Sequence, residues 1–598
     1  MRKSIGGIRH LKVSDFVIDY LVEQKVSQVF VVAGGAIAHL LDSLYGRDDV
    51  ECVAMHHEQA AAFAAAAQAC VSGNIGVAMA TSGPGATNLI TGIGSAFFDS
   101  IPCLYITGQV NTYEYKFDRP VRQSGFQEAD IVNMVKPITK YSVMVTNANL
   151  VKHHLQKAIH ISKSGRPGPV LIDIPMDIQR AEVDFVKSNG YPVTENVVNG
   201  SREQETPNLT YAVELAKKLI ESSRRPVVLA GGGVRNAKAT NILYNFIEKT
   251  RIPVVVSLMG LDAFPHQHPS YCGFIGVYGN RYANLTLANC DLLLAIGTRL
   301  DVRQTGADPK TFAREAKIIH VEIDPNELNQ RVKSHLPICC DAKVFLERLD
   351  SKFSNDCKLN IDSWIEVVQS YKRKYPSCSC EYGDPSVNPN MFMKILSEEA
   401  DDDDILCLDV GQNQMWAAQS FIVRRNQRVL TCGGMGAMGF ALPASIGASV
   451  TNRKRRVIVV AGDGGFQLNI HELQTIFRNL LPIKVFVMNN NCLGMVREFQ
   501  EIYFDRRYQS TVKGYSSPSF FKIAAAYSIN AYYVDSPEKV RGTIRLALSD
   551  TLPALVEVIL RTETHVVPRL LYGRPIEDQN PLLDREEFKS NMIIKPLE

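Results

Sequence analysis

The chain has 598 residues, 45% of them hydrophobic and 21% charged, with a formal net charge of +3. At about 100–200 residues per domain, that length predicts three or four domains with cores of their own. The near balance of charge argues against a nucleic-acid surface. No apolar run of about 18 residues appears, so no membrane span is expected. The basic start Met1-Arg2-Lys3 is followed by no apolar h-region, so a secretory signal is not expected. The 13 cysteines are scattered, among them Cys52, Cys70, Cys103, Cys272, Cys432 and Cys492, and Cys378-Ser379-Cys380 is too tight for a zinc knuckle. An odd count without a framework suits a reducing cytoplasm, with most thiols acting as small buried hydrophobes.

Along the chain, apolar runs end in glycine and lead into helical patterns. Val29–Val32 enters Ala33-Gly34-Gly35, Gly76–Ala80 enters Thr81-Ser82-Gly83-Pro84-Gly85, and Pro226–Ala230 enters Gly231-Gly232-Gly233. Leu292–Ile296 enters Gly297, and Val457–Ala461 enters Gly462-Asp463-Gly464. Short continuous apolar runs suit strands buried on both faces, and their alternation with helices predicts doubly wound parallel sheets. Residues 186–208 and 350–389 are polar, with Pro, Asn-Gly and charge, and read as linkers. The expectation is an α/β chain of three doubly wound parallel-sheet domains, at 1–185, 205–345 and 385–570, with a C-terminal tail at 571–598. No short tandem repeat is present. The acidic run Asp401–Asp404 reads as a solvated turn rather than a metal site.

Asp463 stands where a buried strand ends. A helical pattern with Leu468, Ile470, Leu473, Ile476 and Phe477 follows, and the next strand ends in Asn489-Asn490-Asn491. A right-handed βαβ crossover brings both strand ends to one sheet edge, where open α/β sheets bind ligands. Asp463 and Asn490 can therefore face one ion, with a backbone carbonyl near Cys492 as a third ligand. Magnesium prefers such hard oxygens together with phosphate oxygens. The glycines admit a diphosphate to backbone N–H groups at the helix start. The plainer alternative is a turn aspartate and a turn asparagine that never meet.

Gly-Asp-Gly followed after 24–30 residues by Asn-Asn resembles the signature of thiamine-diphosphate enzymes. Further segments resemble the acetolactate synthase (acetohydroxyacid synthase) family over residues 10–565. They include His57-Glu58-Gln59-Ala60, Thr81–Asn88, Gly125–Asp130, Gly165–Val170, Asp409–Trp416, Gly436–Phe440 and Leu493–Arg497. The resemblance implies that the first domain binds the pyrimidine of thiamine diphosphate and the third its diphosphate. It also implies that the site forms between two chains, in a homodimer or homotetramer. Glu58 would bond the aminopyrimidine ring nitrogen and so promote loss of the C2 proton, a role that suits a partly buried carboxylate. Read from the residues alone, Glu58 could equally be a helix N-terminal acid. Met438 matches the residue that props the cofactor in a bent shape, or packs the core. Gly35, Gln127 and Met495 match positions near the reacting carbon, with Gly35 offering a backbone donor. Gly436, Gly462, Gly464 and Gln412 match diphosphate-side segments. The middle domain resembles one that binds FAD, with Arg166, Gly232, Gly233, Gly279, Arg303 and Asp324 in flavin-contacting segments.

The implied activity is a decarboxylating carboligase that condenses a pyruvate-derived hydroxyethyl unit with a second 2-keto acid, with a regulatory subunit as a possible partner. Several features depart from the family pattern. Phe499 stands where tryptophan is usual, Asn413 where histidine is, and Ala33 where proline is. The segment Asn111–Ser124 is longer than usual and carries Lys116, Arg119 and Arg122, a plain loop or a lid for a larger, anionic acceptor. The segment Pro568–Pro581 resembles tails of relatives that add an acetyl unit to a nucleotide-bound keto-sugar. Three other readings therefore stand beside the main one: a branched-sugar synthase, a simple 2-keto acid decarboxylase or hydrolase, and a catalytically silent subunit.

Overall fold

The computed structural model describes residues 11–186, 190–192, 209–378 and 385–597. It contains three six-stranded parallel sheets. The first runs, side by side, Glu51–Ala54, Gln28–Val31, Gly76–Ala80, Cys103–Gln109, Val170–Pro175 and Tyr141–Met144. The third runs Arg428–Thr431, Ile405–Leu408, Val457–Gly462, Ile483–Asn489, Ala554–Ile559 and Asn530–Val534. Counted along the chain, both have the same order, 2-1-3-4-6-5. The central sheet runs Tyr271–Phe274, Val254–Val256, Pro226–Ala230, Leu292–Ile296, Lys317–Glu322 and Leu336–Cys339, which is order 3-2-1-4-5-6. That is the dinucleotide-binding order, with its switch point between Pro226–Ala230 and Leu292–Ile296. The strands are fully buried runs such as Val457–Ala461, each residue 0% exposed, because helices cover both faces. A two-stranded antiparallel ribbon, Leu11–Lys12 with Glu182–Val183, closes the first domain.

The first and third domains meet through two equivalent helices, each following the second strand of its sheet. These are Glu58–Ser72 and Ala441–Thr451. The first is buried on every side through Ala60–Ala67, so it lacks the polar face of a surface helix. Small residues set the approach: a Cβ on Gly447 would lie 2.0 Å from the Ala64 carbonyl oxygen.

Four segments differ from the sequence reading. The stretch 350–389, read as a linker, contains the helix Asp362–Lys374. Its Trp364 donates its indole N–H to the Pro226 carbonyl, and its Tyr371 hydroxyl donates to the Asn591 carbonyl. The segment 571–597 is packed against the central domain. Glu577, 0% exposed, pairs with Arg314 at 2.6 Å, and the short helix Arg585–Ser590 follows. The helix after Asp463 is broken into Asp463–Leu468, a 3-10 turn Ile470–Glu472, and Leu473–Arg478. In the acidic run Asp401–Asp404, Asp404 is buried and paired with Arg456 at 2.6 Å, so only part of that turn is solvated. The linker reading of 186–208 falls mostly outside the described residues, as do Met1–Lys3 and Cys380.

Candidate active site

The strands Val457–Gly462 and Ile483–Asn489 pair in parallel, with Gly462 opposite Met488. Asp463 and Asn490 therefore leave neighbouring strands at the same sheet edge. Asn491 turns the chain with a left-handed φ of 51°, a conformation asparagine tolerates. The Cys492 carbonyl then lies 3.0 Å from the Asn490 side-chain oxygen, and the Asp463 Oδ1 lies 3.3 Å from it. Magnesium–oxygen bonds of about 2.1 Å place neighbouring octahedral ligands about 3.0 Å apart. With its NH2 donating to Gln412 at 2.8 Å, the Asn490 amide turns its oxygen to these two acceptors, in the spacing a magnesium ion would impose; turned over, it would donate to both. Burial pushes the Asp463 carboxyl up to about 6, while the Tyr515 hydroxyl, donating to Oδ2 at 2.9 Å, pulls it back. Gly464 lies under Met438: a Cβ there would sit 3.4 Å from the Met438 methyl and 2.5 Å from Leu493. Gly436 and Gly439, with φ of 70° and 83°, arch the loop that carries Met438.

The first domain gathers a second set around Thr81–Gly85. Glu58 opens its helix after His57, whose ring Nδ1 accepts from the Gln59 amide at 3.1 Å. Glu58 is 8% exposed, and Asn88 donates to its Oε2 at 2.9 Å. A Cβ on Gly85 would come within 3.2 Å of the other oxygen, Oε1, so glycine keeps that side open. Gln127, at φ 63°, sets its backbone over Gly83. Gly34 is pressed against Thr81, which accepts from the Ala36 amide, and so holds Gly35 at the same edge. Gly35 has open space over its Cα. Glu58, Gln127 and Gly35 thus share one edge, and Asp463, Asn490, Cys492, Gly462, Gly464 and Met438 share another. Among the described residues, no hydrogen bond joins Glu58 to the oxygen set of the third domain.

A cleft of about 320 Å³ opens at the central sheet's switch point, lined from all three domains. Gly232, Gly233, Arg303 and Glu322 line it, with Arg166 and Asp99 from the first domain and Gly433 from the third. A Cβ on Gly233 would meet Gly297 Cα at 2.7 Å, so the two βα turns pack backbone to backbone. Gly279 and Asp324 are not among the lining residues. Gly279 gives its carbonyl to Gln579, and Asp324 pairs with Arg166 at 3.3 Å.

Other side chains are tied elsewhere. Asn413 donates to the Asp409 and Val460 carbonyls and so caps strand ends. Met495 is half-buried on the helix Gly494–Tyr503, and Phe499 is 53% exposed on it, against Tyr503 and Phe504. The Gln412 side chain faces Asn490, Glu498 and the Thr564 carbonyl. Glu128 accepts from the backbone N–H groups of Lys116, Ser124 and Gly125, and so pins the 111–124 loop beside Gln127. Sequence reasoning missed Glu472, which is 0% exposed and accepts the His56 and His57 amides just before Glu58. It also missed Tyr515, Glu498 and Glu128.

Three family models match in chain order. They are the thiamine pyrophosphate enzyme N-terminal TPP binding domain at residues 11–134, the central domain at 213–349, and the C-terminal TPP binding domain at 409–558. The chain is 38% identical over 557 residues to a probable acetolactate synthase large subunit of Methanocaldococcus jannaschii, covering 92% of each. It is 39% identical over 568 residues to the acetolactate synthase large subunit of Corynebacterium glutamicum, covering 94% of this chain and 89% of that one. It is 36% identical over 555 residues to the acetolactate synthase isozyme 2 large subunit of Escherichia coli, covering 93% and 96%. The chain belongs to the acetolactate synthase large-subunit family of thiamine-diphosphate-dependent carboligases.

Proposed function

We propose that the chain decarboxylates pyruvate and joins the two-carbon unit to a second 2-keto acid, with magnesium-held thiamine diphosphate bound between two copies. The observation that carries this reading is the convergence of the Asp463 carboxylate, the Asn490 amide and the Cys492 carbonyl at 3.0–3.3 Å where two neighbouring strands end. They would hold magnesium, and the glycine turn beside them would admit the diphosphate. When bound, thiamine diphosphate supplies the nucleophilic carbon on which a 2-keto acid loses carbon dioxide. Glu58 holds one oxygen on Asn88 and keeps Oε1 free to exchange a proton with a ring nitrogen. The Gly35 backbone offers a donor to developing negative charge, and Gln127 and Met495 border the acceptor. Exposed apolar side chains support a second copy closing the site: Phe126 at 85%, Met435 at 45% and Phe499 at 53%.

FAD in the switch-point cleft is part of the proposal, supported by the strand order, the glycine turn and the flanking arginines. A smaller regulatory partner is part of the proposal, since relatives are named large subunits. A reducing compartment such as the cytoplasm is proposed as well. Thiols such as Cys103, Cys407 and Cys432, each 0% exposed, pack as small hydrophobes and support it, and no helix among the described residues is long and apolar enough to cross a membrane. The acetolactate synthase names of the relatives favour a 2-keto acid acceptor over a keto-sugar.

Phe499 lacks the bulk and the N–H of tryptophan. An apolar pocket separates acceptors that differ by one methylene by only about 1–3 kcal/mol. Little preference for 2-ketobutyrate over pyruvate is therefore expected. The test supplies pyruvate alone, then both acids at equal concentration, and quantifies the acetohydroxyacids. No acetolactate from pyruvate alone would overturn the carboligase reading, and a strong excess of the 2-ketobutyrate product would overturn the acceptor reading.

A further inference from the structure

We infer that Glu58's counterpart on the metal side is Glu498, a positioning residue that turns the Asn490 amide so that its oxygen faces the metal. An amide can present either its oxygen or its NH2 to a neighbour, and nothing in its own shape decides which. Glu498 is 3% exposed, and its carboxylate can only accept hydrogen bonds. It accepts from the Gln412 NH2 and, at 2.8 Å, from the Val566 amide, while the Arg569 guanidinium bonds its other oxygen. The Thr564 carbonyl, 2.8 Å from the Gln412 NH2, also only accepts. Gln412 must therefore keep its NH2 toward Glu498 and its oxygen toward Asn490. The Asn490 NH2 donates to that oxygen at 2.8 Å, which leaves the Asn490 oxygen against Asp463 and Cys492. Reversed, Asn490 would satisfy both of those oxygens with N–H groups and close the site to a cation, but its oxygen would then oppose the Gln412 oxygen.

The relay is buried throughout. Gln412 and Asn490 are each 4% exposed, and a Cβ on Gly494 would sit 1.8 Å from the Gln412 oxygen. Charge matters at its far end. Ionised Glu498 is held by Arg569, in the segment that leads from the third domain toward the central one. A neutral glutamine at 498 would bring NH2 donors of its own and weaken both the Arg569 pair and the single allowed orientation of Gln412. Partners that orient a metal ligand typically contribute roughly 10- to 100-fold in metal affinity.

The inference rests on the magnesium reading of Asp463 and Asn490, and its experiment separates the two. Magnesium is titrated calorimetrically into wild type, Glu498→Gln and Gln412→Met in the presence of thiamine diphosphate, and the metal-free melting temperature of each is recorded. Expected are a wild-type affinity that weakens roughly 10- to 100-fold in both variants, and metal-free melting that stays near wild type in Glu498→Gln. Absence of magnesium binding in wild type would defeat the metal reading itself. Wild-type binding with unchanged affinity in Glu498→Gln would defeat the relay alone. A lowered metal-free melting temperature with unchanged affinity would make Glu498 purely structural, which also overturns it.

Discussion

A carboxylate that passes a proton needs one oxygen held still and the other within reach of its partner. Glu58 has that arrangement, with Oε2 on Asn88 and Oε1 beside the bare Cα of Gly85. Glu58→Gln keeps the shape and removes the proton exchange. Activity should fall on the order of 10²–10⁴-fold while cofactor affinity changes little. Hydrogen–deuterium exchange at C2 of the bound cofactor, followed by NMR, reads the step directly, and a wild-type rate would refute the role. Asp173 differs in kind, since it lies deep in the first sheet and faces no ligand. Burial pushes its carboxyl up to about 7, against hydrogen bonds from Thr107 and Gln109. The folded protein therefore holds that proton more tightly than the unfolded chain. Its contribution is most favourable below the ordinary carboxylate range near 4 and is lost as pH rises through about 7. Asp173→Asn should flatten the change in melting temperature between pH 5 and pH 8; an unchanged slope would show that other groups set it. The sequence made Asp463, Asn490 and Cys492 legible because a βαβ crossover fixes where two strand ends go. Glu472, Glu498 and Tyr515 were not legible, because each acts through a partner far away in the chain that no local pattern names.

The helices tell a similar story about what pattern can and cannot reveal. Strands such as Val457–Gly462 announce themselves, since a run buried on both faces must be apolar throughout. The helix Asp362–Lys374 was hidden by its charges. Yet Trp364, Val368 and Tyr371, spaced four and three apart, form a single buried stripe. The Glu58–Ser72 helix has the opposite property, being buried on every side along its alanine-rich middle because a second helix covers its outer face. That contact depends on Gly447, where any added atom meets a backbone carbonyl that no rotamer change can move. Gly447→Ala should cost roughly 1–3 kcal/mol or more by overpacking. Denaturant unfolding would measure it, and an unchanged midpoint would show that the two helices can separate freely.

At the scale of the molecule, three sheets of related winding divide the chemistry. The strand orders 2-1-3-4-6-5, 3-2-1-4-5-6 and 2-1-3-4-6-5 place one ligand edge on each, and the central edge opens into the switch-point cleft. The protein is therefore expected to bind FAD. Arg303→Ala, which removes an exposed guanidinium from the cleft wall, should weaken FAD by roughly 10- to 150-fold, the scale of one charged hydrogen bond of about 1.5–3 kcal/mol. Quenching of flavin fluorescence on titration reports both, and no binding by wild type would exclude the flavin. The helix seam between the first and third domains has one more consequence, on the ribosome. Glu58–Ser72 emerges early, but the surface that covers it, Ala441–Thr451, is made only after the whole central domain. At about 5–20 residues per second, an alanine-rich helix without a polar outer face waits on the order of tens of seconds for its cover. During synthesis the first domain therefore offers an alanine-rich binding face to chaperones, and a chain interrupted before its third domain carries that face permanently.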